Sequence, residues 1–404
     1  MPWKNVTPME EKHQFITLAQ SGRFTISELC ESFEISRKTG HKWLNRYAED
    51  GFEGLLDKSR APKSVPLRTE EHIERLIVSE RRKHSTWGGK KIHKILQTQH
   101  DIESPPAIST INSILKRNGL VKDRRRRGGV FKVERGSLTE PEHPNHVMAV
   151  DFKGWFKTQD GERFDPLTIT DLYSRYILKA QGLPQATTRW TQQAFSALFK
   201  REGLPEIIRV DNGAPFASVG PGGLSRLSVW WIWLGIEVQF TRPGCPQDNG
   251  SHERMHRTMK AECCKPPSKN RRAQQLRIDR WRKEFNQVRP HEALDQRVPA
   301  EVYQASSNRM DEQIKPDLYG PGTRTKRVSQ SGHISLEGYS CHVGDAFAGA
   351  EVSIEEIKTT GIVNIQYANV KLGSFEVAPN ARLRATAYDE RWDKKTCDPN
   401  KENV

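Results

Sequence analysis

The sequence predicts a multidomain protein: α-helical helix-turn-helix units, then an α/β core with a mixed sheet, then a small all-β barrel. Three observations carry this. Short helices with capping boxes and basic outer faces fill the first part of the chain. From Val147 to Phe240 apolar strands alternate with helices. From Arg324 onward, short alternating strands are separated by glycine turns. At 404 residues the chain is too long for one ordinary domain. The expected domains are 1–58, 65–122, a basic linker 123–143, the core 144–305, the barrel 322–378 and a disordered tail 379–404.

The net charge is +14, and residues 1–140 hold 27 basic and 18 acidic side chains. That excess points to a polyanionic partner, most simply nucleic acid. Six cysteines without a CxxC pair read as reduced thiols. No apolar run reaches the length of a membrane span, and Met1-Pro2-Trp3-Lys4-Asn5 lacks the apolar core of a signal peptide. A cytoplasmic protein is expected.

Thr7-Pro8-Met9-Glu10 and Thr25-Ile26-Ser27-Glu28 are capping boxes that start the first two helices. Ser36 caps a third helix, which turns Trp43, Leu44 and Tyr47 inward. Arg37, Lys38, His41 and Lys42 face outward, so Arg37, Lys38 and Lys42 are candidate DNA-binding side chains. The alternative is an ordinary three-helix bundle with a solvated face. A second set of helices spans about 70–84, 88–99 and 108–118, with or without a wing. Its last helix presents Lys116 and Arg117. The run Arg124, Arg125, Arg126 and Arg127 reads as an arm over phosphates or as a plain linker.

In the core, Val147–Phe152 is an apolar strand interrupted by Asp151. Burying an isolated carboxylate is costly, so Asp151 needs a cation or a hydrogen-bond cage. Further strands are Leu167–Asp171 and Tyr176–Ala180, followed by a helix at Thr188–Glu202. Glu206–Val210 repeats the first pattern and ends on Asp211. A helix at Ser225–Leu234 and a strand at Ile236–Phe240 lead to a Pro/Gly-rich loop at Pro243–Gly250. The helix that follows carries Glu253, His256 and Lys260 at spacing that sets them on one face. Asp151, Asp211 and Glu253 thus end apolar strands or open a helix. Such hard oxygen donors suit a pair of Mg²⁺ ions that drive in-line attack on a phosphodiester. The alternative is three separate surface acids, and Asp165, Asp171 and Asp248 are rival ligands.

These residues resemble the DDE transposase and retroviral-type integrase superfamily, closest to bacterial insertion-sequence transposases with an integrase-like catalytic core. The carrying motifs are Val150-Asp151-Phe152, Arg209-Val210-Asp211-Asn212-Gly213, and Pro246–Arg254 with His256, Thr258 and Lys260. A fourth is Phe285–Leu294 followed by Pro299–Tyr303. The resemblance implies an RNase H-like core with Asp151, Asp211 and Glu253 as the catalytic metal triad for Mg²⁺ or Mn²⁺. It implies donor-end cleavage and strand transfer, an SH3-like barrel, and a homo-oligomer on paired element ends with target DNA. Asn249 and Lys260 would lie near the scissile strand. Helix-turn-helix units stand where a zinc module could be, so zinc is not expected. The 41 residues between Asp211 and Glu253 exceed the family's common spacing, and Gly220–Gly223 is the natural place for extra loop. The runner-up is a domesticated transposase that binds DNA as a non-enzymatic regulator. An RNase H-type nuclease that only cuts is a third reading.

Overall fold

The computed structural model describes residues 7–57, 69–121, 138–242, 245–310, 318–357, 362–376 and 382–385. The chain folds as two compact units, Met1–Thr69 and Glu70–Val404. Among the described residues, no helix is long and apolar enough to cross a membrane. Cys30, Cys263, Cys264 and Cys341 are free thiols. Cys245 is disulfide-bonded, contrary to the expectation of six thiols.

The first unit holds α1 (Pro8–Gln20), α2 (Ile26–Ser32) and α3 (Arg37–Asp50). Both capping boxes form as the sequence predicts, at Thr7/Glu10 and Thr25/Glu28. Ser36 Oγ accepts the Thr39 amide and starts α3. Phe15, Ile16, Leu29, Cys30, Trp43 and Leu55 form the core. With that face buried, the spacing leaves Arg37, Lys38, His41 and Lys42 exposed.

The second unit opens with α4 (Glu71–Lys83), α5 (Gly89–Thr98) and α6 (Ile108–Arg117) around Ile77, Trp87, Ile92 and Ile111. No strand occurs among residues 69–121, and any wing would fall outside the described residues.

The sheet of the core follows. It consists of β1 (Val147–Phe152), β2 (Phe156–Lys157), β3 (Arg163–Asp171), β4 (Ile177–Leu183), β5 (Ile207–Val210) and β6 (Glu237–Phe240). Its order is β2-β3-β1-β5-β6, with β4 also paired to β3. The β1–β5 and β5–β6 pairs are parallel, and the β1–β3 and β3–β4 pairs are antiparallel. This is the mixed sheet of an RNase H-like core. β3 begins earlier than expected, because Asp165 and Pro166 stay in the strand. Helix α7 (Thr188–Glu202) and α8 (Arg226–Trp233) cover the sheet through Phe195, Leu198, Phe199 and Trp231. Then come α9 (Gly250–Met259), α10 (Arg271–Gln287) and α11 (Pro299–Val302).

The C-terminal part has a five-stranded sheet ordered β13-β12-β11-β10-β7 and a hairpin of β8 and β9. These strands are β7 (Thr325–Arg327), β8 (His333–Leu336), β9 (Tyr339–His342), β10 (Glu351–Ile357), β11 (Ile362–Tyr367), β12 (Val370–Glu376) and β13 (Arg384–Ala385). The sequence suggested one strand over His333–Val343. Glu337 and Gly338 instead have φ of 48° and 87°, a pair of positive values that makes a two-residue hairpin turn. The expected disordered stretch 379–404 also includes Arg384 and Ala385, which pair with Ser374 and Gly373.

This sheet packs on the core and accounts for the long Asp211–Glu253 spacing. The segment Pro221–Gly223 forms a short 3₁₀ turn beneath β12. Tyr367 donates its hydroxyl to the Val229 carbonyl at 3.1 Å. Gly222 has φ +62°, and a Cβ there would sit 3.0 Å from Val370 Cγ1 and 3.2 Å from Leu372 Cδ2. The extra loop is therefore a seat for the C-terminal sheet. Gly222→Ala should lower stability by about 1–3 kcal/mol through strain and overpacking. A drop in the urea unfolding midpoint is the expected result, and an unchanged midpoint would contradict this seat.

Candidate active site

The sheet register brings the two strand-end aspartates together. Ala149 pairs with Arg209 across the parallel β1–β5 ladder. Asp151 and Asp211 each follow that pair by two residues, and the charge of Asp211 acts on the Asp151 carboxyl. Asp211 is held in a tight turn, where its Oδ1 accepts the Gly213 amide at 3.2 Å. A Cβ on Gly213 would lie 3.3 Å from Asp211 Oδ2, so glycine leaves that carboxylate room.

Helix α9 brings the third acid. Met255 and Met259 are buried against Phe164, Ile177, Trp281 and Phe285. His252 and His256 are buried against β3, while Glu253 is exposed. The proposed common face of Glu253, His256 and Lys260 is thus divided: His256 is buried, and the other two are exposed. Lys260 opens a π-helical turn, Lys260–Cys264, so α-helical spacing stops applying at that point.

Electrostatics tie the acids to one another. Burial, then the charges of Asp211 and Glu253, push the Asp151 carboxyl up to about 7. Burial also raises Asp211. A cluster of carboxylates repels its own second and third charges, and a divalent cation relieves that repulsion. The donor chemistry, three carboxylates of which Asp151 and Asp211 are partly buried, fits a hard divalent ion.

A buried network supports Asp151 from behind. Thr168 lies opposite Asp151 in the antiparallel β1–β3 register. Its hydroxyl donates to the Asp151 carbonyl at 3.0 Å and meets His252 Nε2 at 2.7 Å and His256 Nε2 at 2.6 Å. Thr170 Oγ1 meets His252 Nδ1 at 3.0 Å. His256 Nδ1 stands 3.6 Å from Asp151 Oδ2. Burial and then nearby Lys153 take His256 down to about 3, so this contact is not an ion pair. His252, enclosed and beside His256, is pushed down as well. Thr168 and His252 had no signal in the sequence, because only the strand register places them.

The rival acids are engaged elsewhere. Asp248 takes a bidentate ion pair from Arg242, at 2.7 and 3.0 Å. Asp171 accepts the Asn145 and Ser174 amides at 2.8 and 2.7 Å and so caps its turn. Asp165 pairs with Arg163 at 2.7 Å.

Among the predicted DNA contacts, Arg37, Lys38, Lys42, Lys116 and Lys260 are exposed. Arg117 is exposed but pairs with Glu74, which partly spends its charge. Asn249 is half-buried, and its buried Oδ1 has no hydrogen-bond partner among the described residues. Arg124, Arg125, Arg126 and Arg127 lie outside the described residues. A basic cleft that the sequence did not reveal runs between α4–α6 and α9, lined by Arg82, Lys91, Arg175, Arg254 and Arg257. Arg289 is consumed structurally: it pairs with Glu262 at 3.1 Å and stacks on Phe285.

Comparisons with known proteins bear on the order of domains. Integrase core domain models match residues 141–246 and 234–299. Helix-turn-helix and homeodomain-like models match residues 11–63 and 39–115. The C-terminal domain of IS481 family transposases matches residues 323–380. The chain belongs to the DDE transposase and retroviral-type integrase superfamily. It is a transposase with helix-turn-helix DNA-binding units and thus a polynucleotidyl transferase. An uncharacterized protein of insertion element IS476 from Xanthomonas euvesicatoria is 26% identical over 71% of this chain and 80% of that one. A corresponding protein of insertion element IS407 from Burkholderia multivorans is 25% identical over 56% of this chain and 77% of that one. The solved HTLV-2 integrase catalytic core, described in complex with magnesium, covers 41% of this chain at 16% identity with a TM-score of 0.31, and nothing rests on that likeness.

The raised Asp151 has a consequence for stability. Its folded carboxyl, at about 7, holds its proton more tightly than an unfolded Asp near 3.9. The contribution is therefore present at low pH and lost as pH rises from about 4 to about 7. Asp151→Asn should stabilise the metal-free protein at pH 8 by about 1–3 kcal/mol. Thermal unfolding in EDTA should show a higher Tm at pH 8 and a smaller difference at pH 4. A lower Tm at pH 8 would contradict the electrostatic reading.

Proposed function

We propose that Asp151, Asp211 and Glu253 are the catalytic triad. They hold two divalent ions while the protein cleaves the ends of its mobile element and joins them to target DNA. What supports this is the placement of Asp151, where burial first and then the charges of Asp211 and Glu253 displace its carboxyl upward. Mg²⁺ or Mn²⁺ held there would supply Lewis acidity to an in-line displacement at phosphorus. Oxygen donors favour these ions, and zinc is not part of the proposal.

The chain's own residues have separable tasks. Asp151 and Asp211, fixed by adjacent strands, set the position of the reacting phosphodiester. Arg254, Arg257 and Lys260, on or just beyond the helix that carries Glu253, neutralise phosphates beside it. Asn249 is retained as a loop contact near the scissile strand. Arg37, Lys38 and Lys42 of α3 enter a DNA groove, and Lys116, Arg117 and the 124–127 arginines extend the contact along the duplex.

Domains at 1–58, 65–122, 144–305 and 322–378 divide these tasks. In this reading the C-terminal sheets close into an SH3-like barrel that braces the core or a neighbouring subunit. Two ends must be joined in one reaction, so a homo-oligomer assembles on them. The protein acts in the bacterial cytoplasm, on nucleoid DNA. A regulator that only binds DNA gains nothing from clustered acids whose repulsion costs stability, which favours the enzyme.

Two outcomes test the reading. Asp211→Asn should abolish Mg²⁺-dependent strand transfer and leave binding to the element end within about threefold of wild type. Strand transfer at the wild-type rate would rule out the triad. Arg37→Ala combined with Lys42→Ala should weaken end binding and flatten its salt dependence by about two units of slope. An unchanged slope would move recognition to the second helical set.

A further inference from the structure

The proton accounting around Thr168 leaves one atom with a lone pair aimed at the acids. Thr168 has a single hydroxyl proton, and it goes to the Asp151 carbonyl at 3.0 Å. The same oxygen meets His252 Nε2 at 2.7 Å and His256 Nε2 at 2.6 Å, so both rings must donate to it. Both imidazoles are therefore Nε2–H tautomers. The Nδ1 of His252 then accepts from Thr170 Oγ1 at 3.0 Å and is spent. Among the described residues the Nδ1 of His256 has no such partner, and it stands 3.6 Å from Asp151 Oδ2.

Two lone-pair-bearing atoms facing each other at that distance leave room for a cation between them. The gap is too long for a shared proton in a hydrogen bond. Two donors bound at about 2.1 Å to one ion lie about 3.0 Å apart at a right angle and about 3.4 Å apart at a tetrahedral angle. A small rotation of either side chain closes the difference. Asp151, His252 and His256 also have candidate ligand atoms within 4.8 Å of one another. With His252 fully engaged, His256 supplies the nitrogen.

We propose that His256 Nδ1 is a nitrogen ligand to the divalent ion held by Asp151. This rests on the reading of Asp151, Asp211 and Glu253 as metal ligands. A nitrogen donor among carboxylates biases a site toward transition ions such as Mn²⁺ relative to Mg²⁺, which prefers oxygen. His256 is then a selector of the metal as well as part of its cage. Thr168 holds the ring in the tautomer that presents the lone pair, the part a second hydrogen bond usually plays for a metal-bound histidine.

The test uses the full chain and Mn²⁺ alone. Pulsed electron paramagnetic resonance of bound Mn²⁺ should show directly coordinated ¹⁴N coupling in the wild-type protein. His256→Gln should lose that coupling and bind Mn²⁺ roughly 10–100-fold more weakly, with Mg²⁺ affinity changed far less. Asp211→Asn separates the two levels of the claim. Mn²⁺ binding that depends on Asp211 but shows no ¹⁴N coupling in the wild type overturns the His256 ligand and leaves the triad standing. Coupling that survives in His256→Gln likewise overturns it. Mn²⁺ that fails to bind, or binds equally well in Asp211→Asn, overturns both. If His256→Gln does not fold, the wild-type spectrum and the same measurements on His256→Asn decide the matter.

Discussion

Like charges held close together set the terms for the whole core. The parallel β1–β5 ladder ends two residues short of Asp151 and Asp211, and the charge of Asp211 raises the Asp151 carboxyl. Helix α9 then adds Glu253 to the same field. Among the described residues, none of these acids is paired with a Lys or Arg within hydrogen-bond distance as Asp248 is with Arg242, though Lys153 acts on Asp151 from further off. The contrast separates Asp248, neutralised by its own fold, from the three acids that we propose to meet a cation from outside.

Holding that arrangement requires rigid supports. Behind Asp151, Thr168 ties β3 to β1 and both histidines of α9 to the strand. On the same buried face of α9, Met255 and Met259 anchor the helix in a core shared with β3, β4 and α10. Arg289 and Trp281 both grip Glu262 in the turn after α9, which fixes the helix along its length. The C-terminal sheet adds a third support, since its residues share one apolar cluster with Trp231 and Phe216. Phe216 in turn stacks on Phe152, the neighbour of Asp151. The site is thus built on strands and a packed helix, which hold side chains more tightly than loops do.

Much of this was legible in the sequence wherever a local rule governs. The capping boxes of α1 and α2, the bounds of α7 and the strand-end positions of Asp151 and Asp211 follow from local chemistry and apolar patterning. What failed to show depends on contacts between distant segments. Thr168 and His252 matter only because β3 pairs with β1 in one particular register. Arg117 reads as a groove-facing cation until α4 supplies Glu74 beside it. Lys260 reads as one face with Glu253 until the helix widens into a π turn. The β8–β9 hairpin was hidden because Glu337 adopts a positive φ that its type rarely takes. The spacing from Asp211 to Glu253 looked anomalous in one dimension and becomes a docking seat in three.

The central claim is that Asp151, Asp211 and Glu253 share divalent metal. The most direct measurement is an anomalous-difference map from crystals of the full chain soaked in Mn²⁺. The account predicts a peak within about 2.5 Å of carboxylate oxygens of both Asp151 and Asp211. A peak seated instead on Asp171 or Asp248, or none near the three acids at saturating Mn²⁺, would contradict it.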